Sequence, residues 1–147
     1  MRQRLPILLL RIALGLYFLC EGVLVFLLPD AVGSGRMSAI GLPSPEVLAV
    51  VAGSMALLGG LFLLLNFYAG ESALLLLLQT LASLVATRLP VLTGQPIGPF
   101  KPVGNSHGWA SFLHAGQTDL LLVVALIAVI IDAGLILGRR RRWYQDK

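Results

Sequence analysis

The stretch VLAVVAGSMALLGGLFLLLNFYAG, Val47 to Gly70, holds no charged side chain in 24 consecutive positions. At ~1.5 Å of rise per residue, ~20 apolar residues cross the ~30 Å hydrocarbon core of a bilayer. A helix on the surface of a soluble protein would carry polar residues along one face. This stretch has no such face, so residues 47–68 read as a membrane-spanning helix. Tyr68-Ala69-Gly70-Glu71-Ser72 reads as a tight turn after it, with Gly70 as helix stop and Ser72 as N-cap of the next helix.

Outward from this segment the same signal recurs. Ser72 to Thr93 contains five consecutive leucines, Leu74 to Leu78, and has Arg88 near its end. Upstream, Ile7 to Leu28 is apolar apart from Arg11 and Glu21. Downstream, residues 119–138 are apolar with Asp132 inside. These four segments predict an all-α fold, a transmembrane four-helix bundle in which residues 1–147 form a single membrane domain. The connections 29–46 and 94–118 are rich in Gly, Pro and Ser and read as loops on the outer side. Pro96, Pro99 and Pro102 forbid regular helix in the second loop. Ser106 to Gln117 then predicts a short interfacial helix with Trp109, Phe112 and Leu113 as apolar contacts. Thr118 or Asp119 would cap the fourth span.

Composition agrees with lipid as the solvent. Hydrophobic residues make up 57% of the chain and charged residues 12%, against about 25% charged in soluble domains. Mean hydropathy is +0.88. The net charge of +4 does not point to nucleic acid, because the basic residues cluster beside apolar spans. Arg2, Arg4, Arg139, Arg140, Arg141, Arg142 and Lys147 lie at the two ends, whereas the long loops hold only Arg36 and Lys101. The positive-inside rule then places both termini in the cytoplasm, and four crossings agree. Trp143 and Tyr144 read as interfacial anchors. Met1 to Leu28 has the basic start of a signal peptide. However, Arg11 interrupts its apolar core and Ala31-Val32-Gly33 is a poor cleavage site, so it reads as a retained helix. Cys20 is the only cysteine, which excludes an internal disulfide and leaves paired-thiol chemistry to a partner protein.

Charges at membrane depth cost roughly 2.5–3.5 kcal/mol each on insertion scales, so they turn inward and seek partners. Arg11 and Asp132 fall ~8 and ~9 Å from the cytoplasmic edge of their spans at 1.5 Å per residue. Glu21 and Arg88 fall ~22 and ~27 Å in by the same count. Two cross-helix ion pairs at two levels are therefore expected, Arg11 with Asp132 and Glu21 with Arg88. Their role is either packing specificity or a proton, substrate or quinone-headgroup site, with Glu21 the foremost functional candidate. Ser72, Gln79, Ser83 and Thr87 form a polar stripe at helical spacing. Ala52, Ala56 and Gly60 form a small-residue ridge that admits a neighbouring helix. His107 and His114, seven residues apart, are weak candidates for holding a tetrapyrrole or metal. Two ligands are too few for a closed metal site, and no metal is expected. There is no phosphate loop and no nucleophile elbow.

The first span, Arg11-Ile-Ala-Leu-Gly15-Leu-Tyr-Phe18-Leu-Cys-Glu-Gly22, resembles the opening of the DoxX-like family, which begins with an arginine, a glycine, an aromatic and a second glycine at these spacings. Gly15 and Gly22 lie on one helical stripe, where they permit close packing. Leu58-Gly59-Gly60-Leu61-Phe62-Leu63-Leu64-Leu65 is similar to the family's glycine-glycine stretch. Family members often carry a lysine where Val25 stands, a histidine where Glu21 stands, and an acidic residue where Ala56 stands. The resemblance implies a four-helix inner-membrane protein, sometimes tied to quinone-linked sulfur oxidation or redox-stress complexes. Three functions follow as expectations. The first is a noncatalytic accessory subunit that packs, within the lipid bilayer, against other membrane subunits of a redox or energy-converting complex. The second is a quinone-linked oxidoreductase subunit with Arg11, Glu21, Arg88 and Asp132 around the headgroup. The third is a small transporter with Glu21 as proton carrier.

Overall fold

Among the described residues, four long helices and one short one follow each other: α1 (Arg4–Leu27), α2 (Ser34–Ile40), α3 (Pro45–Leu64), α4 (Ala69–Thr93) and α5 (Trp109–Asp132). The computed structural model describes residues 4–102 and 108–134. Among these residues there is no β-strand; an isolated antiparallel bridge joins Ile97 and Phe100. Among the described residues three helices, α1, α3 and α4, are long and apolar enough to cross a membrane.

The helix ends follow local chemistry. Proline stands at the first position of α3, where its missing N–H costs nothing, and Glu46 complements the dipole of that end. The expected turn between α3 and α4 lies earlier than the sequence suggested. α3 stops at Leu64, and Asn66 and Tyr68 adopt left-handed backbone at φ 55° and 48°. Asparagine is among the few residues that visit this conformation readily, so Asn66 turns the chain and Gly70 and Ser72 are taken into α4, both buried. Neither acts as stop or cap. Pro90 lies within the last turn of α4. The helix ends four residues later at Gly94, φ 67°, whose amide donates to the Pro90 carbonyl at 2.9 Å.

Two loop readings change. Residues 29–46 are not all loop: α2 forms there, closed by Gly41 at φ 90° and held by the Lys101 amide donating to the Ile40 carbonyl at 2.7 Å. Nor is there an interfacial helix separate from a span beginning near Asp119. α5 runs unbroken from Trp109 to Asp132. Gly116 weakens a helix by about 1 kcal/mol, which is too little to break one that is otherwise packed. Asp119 sits mid-helix and has a partner there.

Successive long helices run antiparallel. Gly15 meets Gly60 and Leu64 while Gly22 meets Gly53 and Leu57, so α1 and α3 pass in opposite directions. The most extensive contacts are α1 with α3 and α4 with α5. The glycines explain the first of these. A Cβ on Gly60 would stand 2.8 Å from the Gly15 carbonyl oxygen and 2.9 Å from the Leu19 nitrogen, so the two backbones touch where a side chain would hold them apart. The core joins all four long helices through Leu14, Phe18, Ala56, Leu63, Ala73, Leu76, Leu126, Val129 and Ile130. Many leucines outside it, such as Leu8, Leu58 and Leu121, face outward, as a lipid-facing surface requires.

Candidate functional site

The polar side chains gather at two levels of the bundle. At the first, Arg11 Nη2 donates to Asp132 Oδ2 at 2.8 Å and Nη1 donates to Asn66 Oδ1 at 2.6 Å. One guanidinium therefore ties α1 to α5 and to the α3–α4 turn, using the fixed fork geometry of arginine. The Arg11 side chain is 14% exposed and that of Asp132 42%. Asn66 was not anticipated. Its position in an otherwise apolar stretch was the available signal.

At the second level the expected Glu21–Arg88 pair does not form. Arg88 Nε donates instead to Asp119 Oδ2 at 3.0 Å, with both side chains about one-fifth exposed. The reason is register: α5 is the helix packed most closely on α4, and its continuity carries Asp119 inside the bundle beside Arg88. Glu21 is left without an ion pair among the described residues and lines a cavity.

That cavity, about 500 Å³, is lined by residues of all five helices. Tyr17, Phe18, Glu21 and Val25 of α1 face it, one helical stripe. Arg36, Met37 and Ile40 of α2 roof it together with Phe100. Ala52, Met55 and Ala56 contribute from α3, Gln79, Thr80, Ser83, Ala86 and Thr87 from α4, and Asp119 and Leu122 from α5. Of the polar stripe on α4, Gln79, Ser83 and Thr87 thus share one hollow, while Ser72 is buried at the start of the helix. Of the small-residue ridge, Ala52 and Ala56 border the cavity and Gly60 lies against α1.

Several hydrogen-bonding groups of the lining are already engaged. The Thr80 hydroxyl donates to the Leu76 carbonyl at 2.8 Å and that of Thr87 to the Ser83 carbonyl at 2.7 Å, each within its own helix. Gln79 Nε2 donates to the Ala52 carbonyl at 3.0 Å. Gln79 Oε1 is buried and has no partner among the described residues. Arg36 was read only as a loop charge and Asp119 only as a cap, so their place around Glu21 was missed. The spacing Asp119, Leu122, Leu126, Val129 is helical throughout and carried the signal for Asp119.

His114 takes no part in this site. His114 is exposed on α5, and His107 falls outside the described residues. Among the described residues no three of His, Cys, Asp and Glu come together in a form that would hold a metal ion.

The DoxX family matches residues 7–89, from the start of α1 to near the end of α4. The chain belongs to the DoxX family. The match takes in Arg11, Glu21, Gln79 and Arg88 and stops before Asp119 and Asp132. A relative from Mycobacterium tuberculosis, "Uncharacterized membrane protein Rv3486", is 35% identical over 121 residues, which is 82% of this chain and 71% of that protein. No solved structure matches. This DoxX protein is therefore a membrane protein, with a surface in contact with lipid.

Proposed function

We propose that this DoxX protein crosses the inner membrane four times, with α5 as the fourth crossing and both termini cytoplasmic, and serves a redox complex as the subunit that holds a quinone. The cavity carries this reading. Small-molecule sites typically enclose ~300–1,000 Å³ behind mostly apolar walls with a few convergent polar groups. The hollow under α2 has that size and that lining. A subunit that acts only by packing against its neighbours would need no such hollow. The seven basic residues at the ends, against Arg36 and Lys101 in the long connections, support the orientation.

The residues present fit such a ligand. Met55, Leu122, Val25 and Phe18 offer flexible and aromatic walls to a ring, and the Tyr17 and Ser83 hydroxyls line the same hollow. Glu21, Arg36 and Gln79 would hold the headgroup; a bound quinone supplies two-electron, two-proton carrier chemistry. The formal charges around the hollow balance: Glu21 with Arg36, Asp119 with Arg88. An uncharged lipophile therefore enters without leaving an uncompensated charge.

The test is solvent extraction of the protein purified in mild detergent, with quinone and co-purified subunits quantified by mass spectrometry. The expected result is quinone at near-equal stoichiometry, lost when Ala86→Phe fills the hollow. Wild-type protein free of quinone, drawn from membranes rich in it, contradicts the reading. Proton uptake by proteoliposomes of the protein alone on substrate addition favours the transporter instead.

A further inference from the structure

We infer that the ligand reaches this cavity sideways from the bilayer, between α3 and α4, and that its aliphatic tail lies in that opening; this rests on the reading above that the cavity holds a lipophile. A hollow meets the outer surface where a side chain borders it and is also exposed. Among the described residues of the lining, Leu48, Val51, Leu78 and Ala82 meet both conditions, with Val51 49% and Leu78 60% exposed. Two belong to α3 and two to α4. Tyr17 also meets both, and stands alone on α1.

The packing accounts for an opening at this place. Near the turn that joins them, α3 and α4 touch: a Cβ on Gly59 would stand 2.8 Å from Leu76 Cδ2. Farther from the turn, Gln79 Nε2 ties α4 to the Ala52 carbonyl at 3.0 Å. Beyond that tie Leu48 and Val51 of α3 and Ala82 of α4 border the hollow. Each helix packs more extensively on its other partner, α3 on α1 and α4 on α5. The loop side of the lining is tied together instead, with Ile40 buried and its carbonyl accepting from the Lys101 amide at 2.7 Å.

The chemistry of the lining divides in the same way. The four side chains of the opening are aliphatic, whereas the ionisable ones, Tyr17, Glu21, Arg36 and Asp119, stand on α1, α2 and α5. A molecule with a polar head and a hydrocarbon tail matches both parts. Its tail passes from acyl chains to aliphatic side chains without meeting water, so entry from the bilayer exposes no apolar surface.

The test uses the full chain in lipid nanodiscs and a decyl-tailed benzoquinone carrying a diazirine on the tail, photolysed with and without excess unlabelled decyl-tailed benzoquinone. The expected result is competed label on the peptides that carry Leu48–Val51 and Leu78–Ala82. Competed label beside Tyr17 or on α5 instead overturns the inference and leaves the site standing. Equilibrium binding gives a second reading. Ala82→Trp, at an exposed position that tolerates bulk, should crowd the opening and weaken the decyl-tailed probe by about tenfold or more, with a tailless benzoquinone within about twofold of the wild type. Equal effects on the two probes, or none on the tailed one, overturn the opening. Failure of the wild type to bind either probe overturns the cavity reading itself.

Discussion

Gly60→Ala adds a single methyl group where α1 and α3 touch. The new Cβ would lie 2.8 Å from the Gly15 carbonyl oxygen, 2.9 Å from the Leu19 nitrogen and 3.2 Å from Phe18 Cβ. Two of these are backbone atoms of α1, which no rotamer change can move aside. The helices must separate by roughly 0.5–1 Å, and such a gap forfeits a quarter to a half of each van der Waals contact along the seam. Overpacking of this kind costs about 1–3 kcal/mol. Alanine recovers about 1 kcal/mol of helix propensity, which leaves a net loss of up to about 2 kcal/mol. Gly116→Ala is the matched control, because a Cβ there meets nothing within 4 Å and only the propensity gain remains. Thermal unfolding in one detergent should show Gly60→Ala lowered by up to about 8 °C and melting below Gly116→Ala, which is unchanged or raised. Equal midpoints for the two variants would refute the contact between α1 and α3 on which the arrangement of the bundle depends.

Other substitutions test the remaining ties. Asp132→Ala leaves Arg11 with Asn66 alone; a fully buried pair would lose about 3–5 kcal/mol, and with the Asp132 side chain 42% exposed the expected loss in detergent unfolding is about 1–2 kcal/mol. Asp119→Arg alone should destabilise the protein, and Asp119→Arg combined with Arg88→Asp should restore much of the loss, a non-additivity that a double-mutant cycle reads directly. Thr80→Val removes a hydroxyl bonded only to its own helix, so quinone retention should stay unchanged and stability should shift by about 0.5 kcal/mol at most.

The membrane character of this chain is legible because hydropathy is a property of composition. Twenty-four uncharged residues from Val47 to Gly70 have one comfortable solvent, whatever their neighbours. The glycine spacing of the first span was equally local, and it carried the family. What escaped the sequence depends on register between distant segments. Depth alone pairs Arg88 with Glu21, and its actual pairing with Asp119 follows from α5 packing on α4, which no local pattern encodes. The α3–α4 turn was displaced because Gly70 carries the stronger general signal for a helix stop, whereas left-handed Asn66 ended α3 first. The Gly- and Pro-rich composition of residues 29–46 concealed α2, seven residues long, and with it the roof of the cavity.

The claim at the centre is that a lipophilic headgroup resides between the helix pairs rather than on the lipid-facing surface. Photolabelling of the membrane-embedded protein with an azido-benzoquinone, followed by peptide mapping, tests it most directly. Label on the segments that carry Tyr17–Val25 and Gln79–Thr87, displaced by excess unlabelled benzoquinone, is the predicted result. Label spread without competition over outward-facing residues such as Leu8, Leu58 and Leu121 would contradict it.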